Sequence, residues 1–402
     1  MLNKKSNQLE IKFLLVLSTA YLAAKLNIQG FLSLMPLIRD EFVITRAQAG
    51  LYSSFFFISA TLIAIFSGRL VDKIGAKKGL VLGTSFVGIL ITLHAIALEF
   101  YILLILAFFT GLSYSVVTPS LNKAVIKKVA ADKRAISMGV MQSGAGLGGF
   151  LGASLLPVIA TRLDWRLTIF LSGLVAILLG VFIALSYQEN EREINLEQGS
   201  NKLSFKESIY KLLQNKALLK VCFVGLAFGM GVGAVPAHYT IYLTQDLNLT
   251  LAMAGLALGV MQIGGVIGLP GWGLINDKFL NKDRRQGLIL ISSLIIIISF
   301  TFALYVTKFG AALWFILILS FLFGTTGLGW LGVYFTAVGE LASDETTGLA
   351  TGFALVFIRF GILISPPIFG HLADITESYY LSWLTLGLAI LTVISLFILT
   401  SE

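Results

Sequence analysis

The stretch SGRLVDKIGAKKG, residues 67–79, sets Arg69, Asp72, Lys73, Lys77 and Lys78 among Gly68, Gly75 and Gly79. Apolar sequence flanks it on both sides: LYSSFFFISATLIAIF (51–66) comes before, and LVLGTSFVGILITLHAIAL (80–98) follows. A helix needs about 20 apolar residues to cross a bilayer, so each flank is close to one membrane span and the charged stretch reads as the loop joining them. A second charged loop, GLINDKFLNKDRRQG (273–287), sits in the same kind of setting.

The whole chain follows this pattern. Of its 402 residues, 57% are hydrophobic and 12% charged, whereas a soluble domain carries about 25% charged residues. The solvent for most of this surface is therefore lipid. Twelve spans are predicted, at roughly 11–37, 47–67, 79–97, 101–122, 136–161, 165–186, 218–243, 251–275, 287–306, 310–337, 346–371 and 378–399. The long polar segment YQENEREINLEQGSNKLSFKESIYKLLQNK divides them, giving an N-terminal six-helix half (1–186), a central loop (187–216) and a C-terminal six-helix half (217–402). The expected class is an all-α membrane protein. The 40 glycines suit helices that pack backbone to backbone, because lipid gives apolar helices little drive to associate otherwise. Cys222 is the one cysteine, so no intramolecular disulfide is possible.

The net charge of +8 would suit a nucleic-acid binder, but its distribution points to the membrane. The predicted outer loops hold only Arg39, Arg46, Arg162, Arg166 and Lys308, and the spans hold Lys25 and Arg359; the other 22 of the 29 basic residues fall on the opposite side. Basic residues favour the cytoplasm, which places both termini and the central loop there. The expected setting is a multi-pass membrane protein, in a bacterial inner or plasma membrane, with no nucleic-acid partner. Lys4, Lys5 and FLLVLSTAYLAA resemble a cleavable signal peptide. The apolar stretch resumes after Lys25 and runs to Leu37, so an uncleaved first span is expected instead.

The two charged loops are related by an internal repeat. A shift of 205 residues lays Gly68 on Gly273, Asp72 on Asp277, Lys73 on Lys278, and Thr45 on Thr250. Two six-span halves of the same orientation form a parallel repeat, a transporter arrangement with its substrate site near the midplane. GRLVDKIGAKK resembles the loop 2–3 signature of the major facilitator superfamily, through Gly68, Leu70, Asp72, Lys73, Gly75, Lys77 and Lys78. MGVMQSGAGLGGFLGASLLP (138–157) is similar to the glycine-rich fifth span of that superfamily, and LDWR (163–166) to the entry of its sixth. The resemblance spans the chain. The second loop departs from it: FLNK displaces the basic cluster that follows Asp277.

The resemblance implies a gating role for the first loop. Gly68 is expected to allow tight helix contact, Asp72 to hold the N-terminus of span eleven through its dipole, and Lys77 and Lys78 to anchor the loop at the anionic inner leaflet.

Lys25 lies about 21 Å into span one and Arg359 about 20 Å into span eleven, at 1.5 Å per residue. A cation at that depth costs about 3 kcal/mol on insertion scales and should face water or a ligand. No acid matches them: Asp40, Glu41, Asp246, Glu340, Asp344, Glu345 and Asp374 all fall at span ends or in loops. In the fold the chain resembles, spans one and eleven help line the central cavity, so a substrate anion is the expected partner. Monocarboxylate porters carry a functional lysine in span one, and the oxalate–formate exchanger a substrate-binding lysine in span eleven. Those families also use a basic residue in span eight, where this chain has Gln262.

Tyr114, Gln142, Tyr239, Gln262, Trp330 and Tyr334 join Lys25 and Arg359 as expected substrate contacts, with Asn27, Gln29, Asn122, His238 and Tyr242 at similar depths. Trp330 and Tyr334, four residues apart, share a helix face. His238 lies near the outer end of span seven, where it reads equally as a group that titrates near neutral pH or as a surface residue.

No catalytic pair, metal-spaced cluster or phosphate loop is present in the sequence, so neither an enzyme nor a cofactor is expected. The function expected is alternating-access transport of a mono- or dicarboxylate by proton symport or anion exchange, carried out by a monomer. The alternative is a proton-coupled drug or cation efflux antiporter of the same superfamily. That chemistry typically needs a membrane acid, and none is found here.

Overall fold

The computed structural model describes residues 2–130, 133–187, 210, 212–342 and 347–399. The central loop lies almost wholly outside the described residues. The described residues are almost all helical: α1 Leu2–Ser33, α2 Met35–Phe42, α3 Arg46–Leu62, α4 Ala64–Ile74, α5 Ala76–His94, α6 Phe100–Lys128, α7 Arg134–Leu163 and α8 Trp165–Ser186. Then come α9 Lys216–Gln245, α10 Leu251–Phe279, α11 Arg284–Thr301, α12 Leu313–Phe323, α13 Leu331–Leu341, α14 Thr347–Thr376 and α15 Tyr380–Leu399. A π turn at Phe302–Val306 prolongs α11, and another at Gly324–Leu328 joins α12 towards α13 within one span.

Among the described residues, 11 helices are long and apolar enough to cross a membrane, and the α3–α4 pair, bent by 60°, makes up to 12. Breaks and caps fall where the side chains dictate. Leu34 ends α1, and Pro36, which has no N–H to leave unpaired, opens α2. Asp164 caps α8 by accepting from the amides of Arg166 and Leu167, and Asp283 caps α11 through those of Arg285 and Gln286. Gly75 joins α4 to α5 at φ 88°, ψ 163°, a conformation that a side chain would strain.

The chain divides into two compact units: residues 1–44, 51–195 and 249–259 form the first, and 45–50, 196–248 and 260–402 the second. These depart from a division at the central loop, because 45–50 and 249–259 belong to the unit of the other half.

In the first unit α7 lies on α1 along a glycine stripe. A Cβ at Gly144, Gly148 or Gly152 would stand 2.3, 2.3 and 2.2 Å from the carbonyl oxygens of Ser18, Leu22 and Leu26. In the second unit, α9 and α14 meet in the same way. A Cβ at Gly229 or Gly233 would stand 2.3 and 2.4 Å from the carbonyl oxygens of Ile358 and Ile362, and one at Gly361 would stand 2.2 Å from that of Leu226. Real Cβ atoms do not approach so closely, so only glycine permits either pairing. The glycine-rich span quoted from the sequence is thus a contact surface. Gly68 is different: a Cβ there would meet nothing within 4 Å, which corrects the tight contact expected of it.

The contrast is measurable. Gly148→Leu should largely abolish monodisperse folded protein in detergent, since overpacking against backbone has no side chain to yield. Gly68→Ala should leave the melting temperature unchanged or raise it, by about 0.5–1 kcal/mol of helix propensity. A Gly148→Leu protein that melts like the wild type would show that the two backbones do not touch.

Candidate functional site

Lys25 projects from α1 and is half-buried. Its ammonium lies 5.7 Å from the centroid of the Tyr114 ring on α6, a cation–π arrangement. Tyr21, one turn earlier on α1, faces both Tyr114 and Lys25, and Thr118 stands within reach of both phenols. Lys25 forms no hydrogen bond or ion pair with a described residue, so its charge is met only by a ring face. Close by on α1, Asn27 and Gln29 are buried; the Asn27 amide donates to the Ala23 carbonyl at 2.9 Å. Asn27 Oδ1 and Gln29 Nε2 have no partner. Gln142 on α7 is exposed, and Asn122 on α6 is half-buried. Tyr21 was not among the expected residues, although its position four residues before Lys25 puts the two on one helix face.

Arg359 on α14 is half-buried, and its guanidinium also forms no hydrogen bond or ion pair with a described residue. Ile358, the residue before it, has its carbonyl in the close α9 contact, so the base of the side chain is tightly held. Gln262 on α10 is half-buried.

The aromatic residues of the second unit expected around the two cations are fully buried. Trp330 is fully buried, donates from Nε1 to the Gly327 carbonyl at 3.0 Å, and packs edge-on against Phe228 and Tyr334. Tyr334 is also fully buried; its hydroxyl has no oxygen or nitrogen partner and lies by Cys222 in the space left by Gly225. Tyr239 bonds Ser320 Oγ at 2.6 Å, and Tyr242 bonds Thr307 Oγ1 at 3.0 Å, inside a cluster with Phe302 and Trp383. In this structure Trp330, Tyr334 and Tyr239 are packing residues of the second unit, because their rings are buried on all sides. His238, near the outer end of its span, is fully buried between the Pro366 carbonyl, 2.8 Å from Nε2, and the Tyr379 hydroxyl, 2.9 Å from Nδ1.

In the first unit, the exposed Asp72 accepts from Lys123 of α6 at 2.9 Å. The start of span eleven, to which Asp72 was expected to dock, adjoins residues outside the described set. Lys73, Lys77 and Lys78 form no ion pair with a described residue.

The second loop preserves the pairing by another route. Asn281 and Lys282 turn the chain at φ 50° and 62°, a left-handed reversal that asparagine tolerates. The turn carries Arg284 back to Asp277 at 2.6 Å and onward to Glu340 at 3.1 Å, and Arg284 also donates to the buried Asn276. The inserted FLNK therefore displaces the basic cluster in sequence but not in space.

A further charge cluster in the second unit was not foreseen. Arg46 donates from its main-chain amide to Asp374 at 2.9 Å and from Nη1 to the Ala373 carbonyl at 2.7 Å, and it pairs with Asp246 at 3.4 Å. Asp246 also accepts from the Ser378 hydroxyl at 3.0 Å and from the Tyr379 amide at 2.6 Å. Burial raises its carboxyl above the ordinary 3.8, against those bonds and the Arg46 charge, which lower it.

The Major Facilitator Superfamily model matches residues 17–240 and again 221–402. The chain belongs to this superfamily. It is 24% identical to the hexuronate transporter of Bacillus subtilis over 365 residues, covering 88% of this chain and 85% of that protein. It is likewise 24% identical to the probable sulfoacetate transporter SauU of Cupriavidus necator, covering 88% and 84%. The quinolone resistance protein NorA of Staphylococcus aureus is 22% identical, with 87% of each chain covered. The crystal structure of the nucleoside transporter NupG superposes with a TM-score of 0.76 over 96% of this chain and 98% of that one, at 12% identity. The protein is a multi-pass membrane transporter and not an enzyme.

Two measurements test these pairings. Arg284→Gln leaves the buried Asn276 oxygen without its charged donor and should cost about 1–3 kcal/mol of stability; Lys123→Gln breaks a pair with the exposed Asp72 and a bond to the Val71 carbonyl, which keeps the Gly75 amide as donor, and should cost under about 1 kcal/mol. Equal losses in thermal unfolding would contradict the burial difference. A carboxyl raised in the folded state binds its proton more tightly than in the unfolded chain. It therefore adds stability below pH 3.8 that is lost as the pH rises through its folded value. The wild type should accordingly lose melting temperature relative to Asp246→Asn as the pH is raised from 3.8, and a constant gap would show that the carboxyl is not raised.

Proposed function

We propose that this transporter moves a small organic anion, a mono- or dicarboxylate, by proton symport or anion exchange, with Lys25 and Arg359 as the substrate-contacting cations. The observation that carries this reading is that both lie half-buried within spans, and neither has an acid or hydrogen-bond partner among the described residues. A cation kept at that cost in a membrane span needs an anion or water to face. Tyr114, with Tyr21 beside it, adds a π face and phenolic donors on the Lys25 side. The guanidinium fork of Arg359 suits the two oxygens of a carboxylate. Gln142 and Gln262 serve as neutral donors. Hexuronate and sulfoacetate, named for two of the relatives, both carry a carboxylate, which supports the class without naming the compound. The basic side of the membrane is the cytoplasm of a bacterial plasma membrane in this reading, and the protein acts as a monomer.

Quinolone export, for which NorA is named, is the second reading. It is disfavoured because every Asp and Glu of the sequence lies at a span end or in a loop, leaving no acid to carry a proton past a cationic drug. Asp72 with Lys123, and Asp277 with Arg284, act in the proposal as latches of the conformational cycle; Asp72→Asn should slow turnover and leave substrate affinity intact.

Uptake of a labelled carboxylate panel by proteoliposomes, with and without a pH gradient, tests the class. Saturable uptake of at least one carboxylate is expected, while transport of a cationic drug that no carboxylate inhibits would overturn it. For the site, Lys25→Gln and Arg359→Lys should each weaken anion binding by about 30- to 150-fold, the equivalent of about 2–3 kcal/mol for one charge-assisted contact. Unchanged affinity in both variants would remove the two cations from the site.

A further inference from the structure

A groove of about 660 Å³ runs between α4, α5 and α6 of the first unit, within the range of clefts that hold small ligands. Its walls include Phe66, Leu70, Leu82 and Phe86, all between 45% and 62% exposed. Within a bilayer, such a surface meets acyl chains. Two cations, Arg69 and Lys73, complete the lining, and no acid does. They sit four residues apart on α4, so they share a face and repel each other. Neither makes a hydrogen bond or ion pair with a described residue. The acid nearest in sequence, Asp72, is held by Lys123. The groove thus joins an exposed apolar trough to a doubly cationic face without a counter-charge, just beyond the 60° bend between α3 and α4.

We propose that this groove binds an anionic phospholipid of the leaflet that carries the basic loops, one acyl chain lying along Phe66, Leu70, Leu82 and Phe86 and the phosphate held by Arg69 and Lys73. The charges complement each other, and the ligand is one that the surrounding solvent supplies. Neither a soluble anion nor a neutral lipid satisfies both parts of the groove. Lys77 and Lys78 lie past the Gly75 turn and do not line it, so the site is distinct from general attraction of the loop to the leaflet.

Thermal unfolding of the purified full-length protein in detergent, with added lipid, tests this. Dioleoyl phosphatidylglycerol should raise the melting temperature by about 2–4 °C more than dioleoyl phosphatidylcholine. The doubly substituted Arg69→Gln, Lys73→Gln protein should lose that preference while melting normally in phosphatidylcholine; Lys77→Gln with Lys78→Gln should keep it. Ser113→Phe narrows the trough but spares both cations, so it should abolish the advantage of dioleoyl over dihexanoyl phosphatidylglycerol. Equal stabilisation by both headgroups, equal loss in the two lysine-containing pairs, or the same shift from inorganic phosphate alone would each overturn the proposal. If the Arg69, Lys73 variant does not fold, a chain-length dependence unchanged in Ser113→Phe overturns it independently.

Discussion

Each unit holds a pair of helices that lies backbone on backbone, and Lys25 and Arg359 take their positions from those two contacts. Lipid tails are as apolar as leucine, so a membrane helix gains little from burying leucine against another helix; close van der Waals contact has to hold the pair. Gly144, Gly148 and Gly152 admit the backbone of α1, and Gly229, Gly233 and Gly361 do the same between α9 and α14. Lys25 stands between the carbonyls of Leu22 and Leu26 in the first contact, and Arg359 follows Ile358 in the second. Both cations therefore grow from backbone that cannot slide, while their charged tips remain without a partner among the described residues. Such a fixed base and free tip suits a ligand-binding cation.

The acids are used in a consistent way. Asp72 takes Lys123, Arg284 takes Asp277 and Glu340, Arg46 takes Asp246 and Asp374, and Arg166 takes Glu41 at 2.6 Å. All these pairs lie at span ends. Several are exposed, and exposed pairs add little to stability. Their value is positional: each ties a loop or helix end to a neighbouring helix. The arginines do this best, because one guanidinium holds carbonyls as well as a carboxylate. Arg166 donates to the carbonyls of both Ala95 and Ala97 at 2.8 Å, and Arg46 to that of Ala373. With these acids engaged there, none of them is left for Lys25 or Arg359.

The two copies of the charged loop show how a repeat diverges while its physics persists. In the first copy the acid is on the loop and its cation on the neighbouring span. In the second, the loop supplies both an acid and Arg284, and the neighbouring span supplies Glu340. Comparing residues position by position, the second copy looks degraded. A two-residue left-handed turn at Asn281 and Lys282 restores the pairing, and no linear comparison shows it.

Span number, the internal repeat, the superfamily and the depth of Lys25 and Arg359 were all determined by the sequence itself. They depend on hydropathy and spacing along one chain, and lipid imposes those on the residues one span at a time. Which face of a helix meets a neighbour was decided only by the tertiary structure. Trp330, Tyr334 and Tyr239 have the depth and chemistry of cavity residues, yet their rings point into the packed interior of the second unit; His238 reads equally as a surface residue and is enclosed by Pro366 and Tyr379. Gly68 belongs to the loop signature, yet a Cβ there would meet nothing within 4 Å, whereas Gly148, one glycine among many in its span, carries a helix contact. The reason is geometric. In lipid both faces of a span can be apolar, so the 3.6-residue period that separates core from surface in water is blurred, and only the neighbouring helix decides which face is inside.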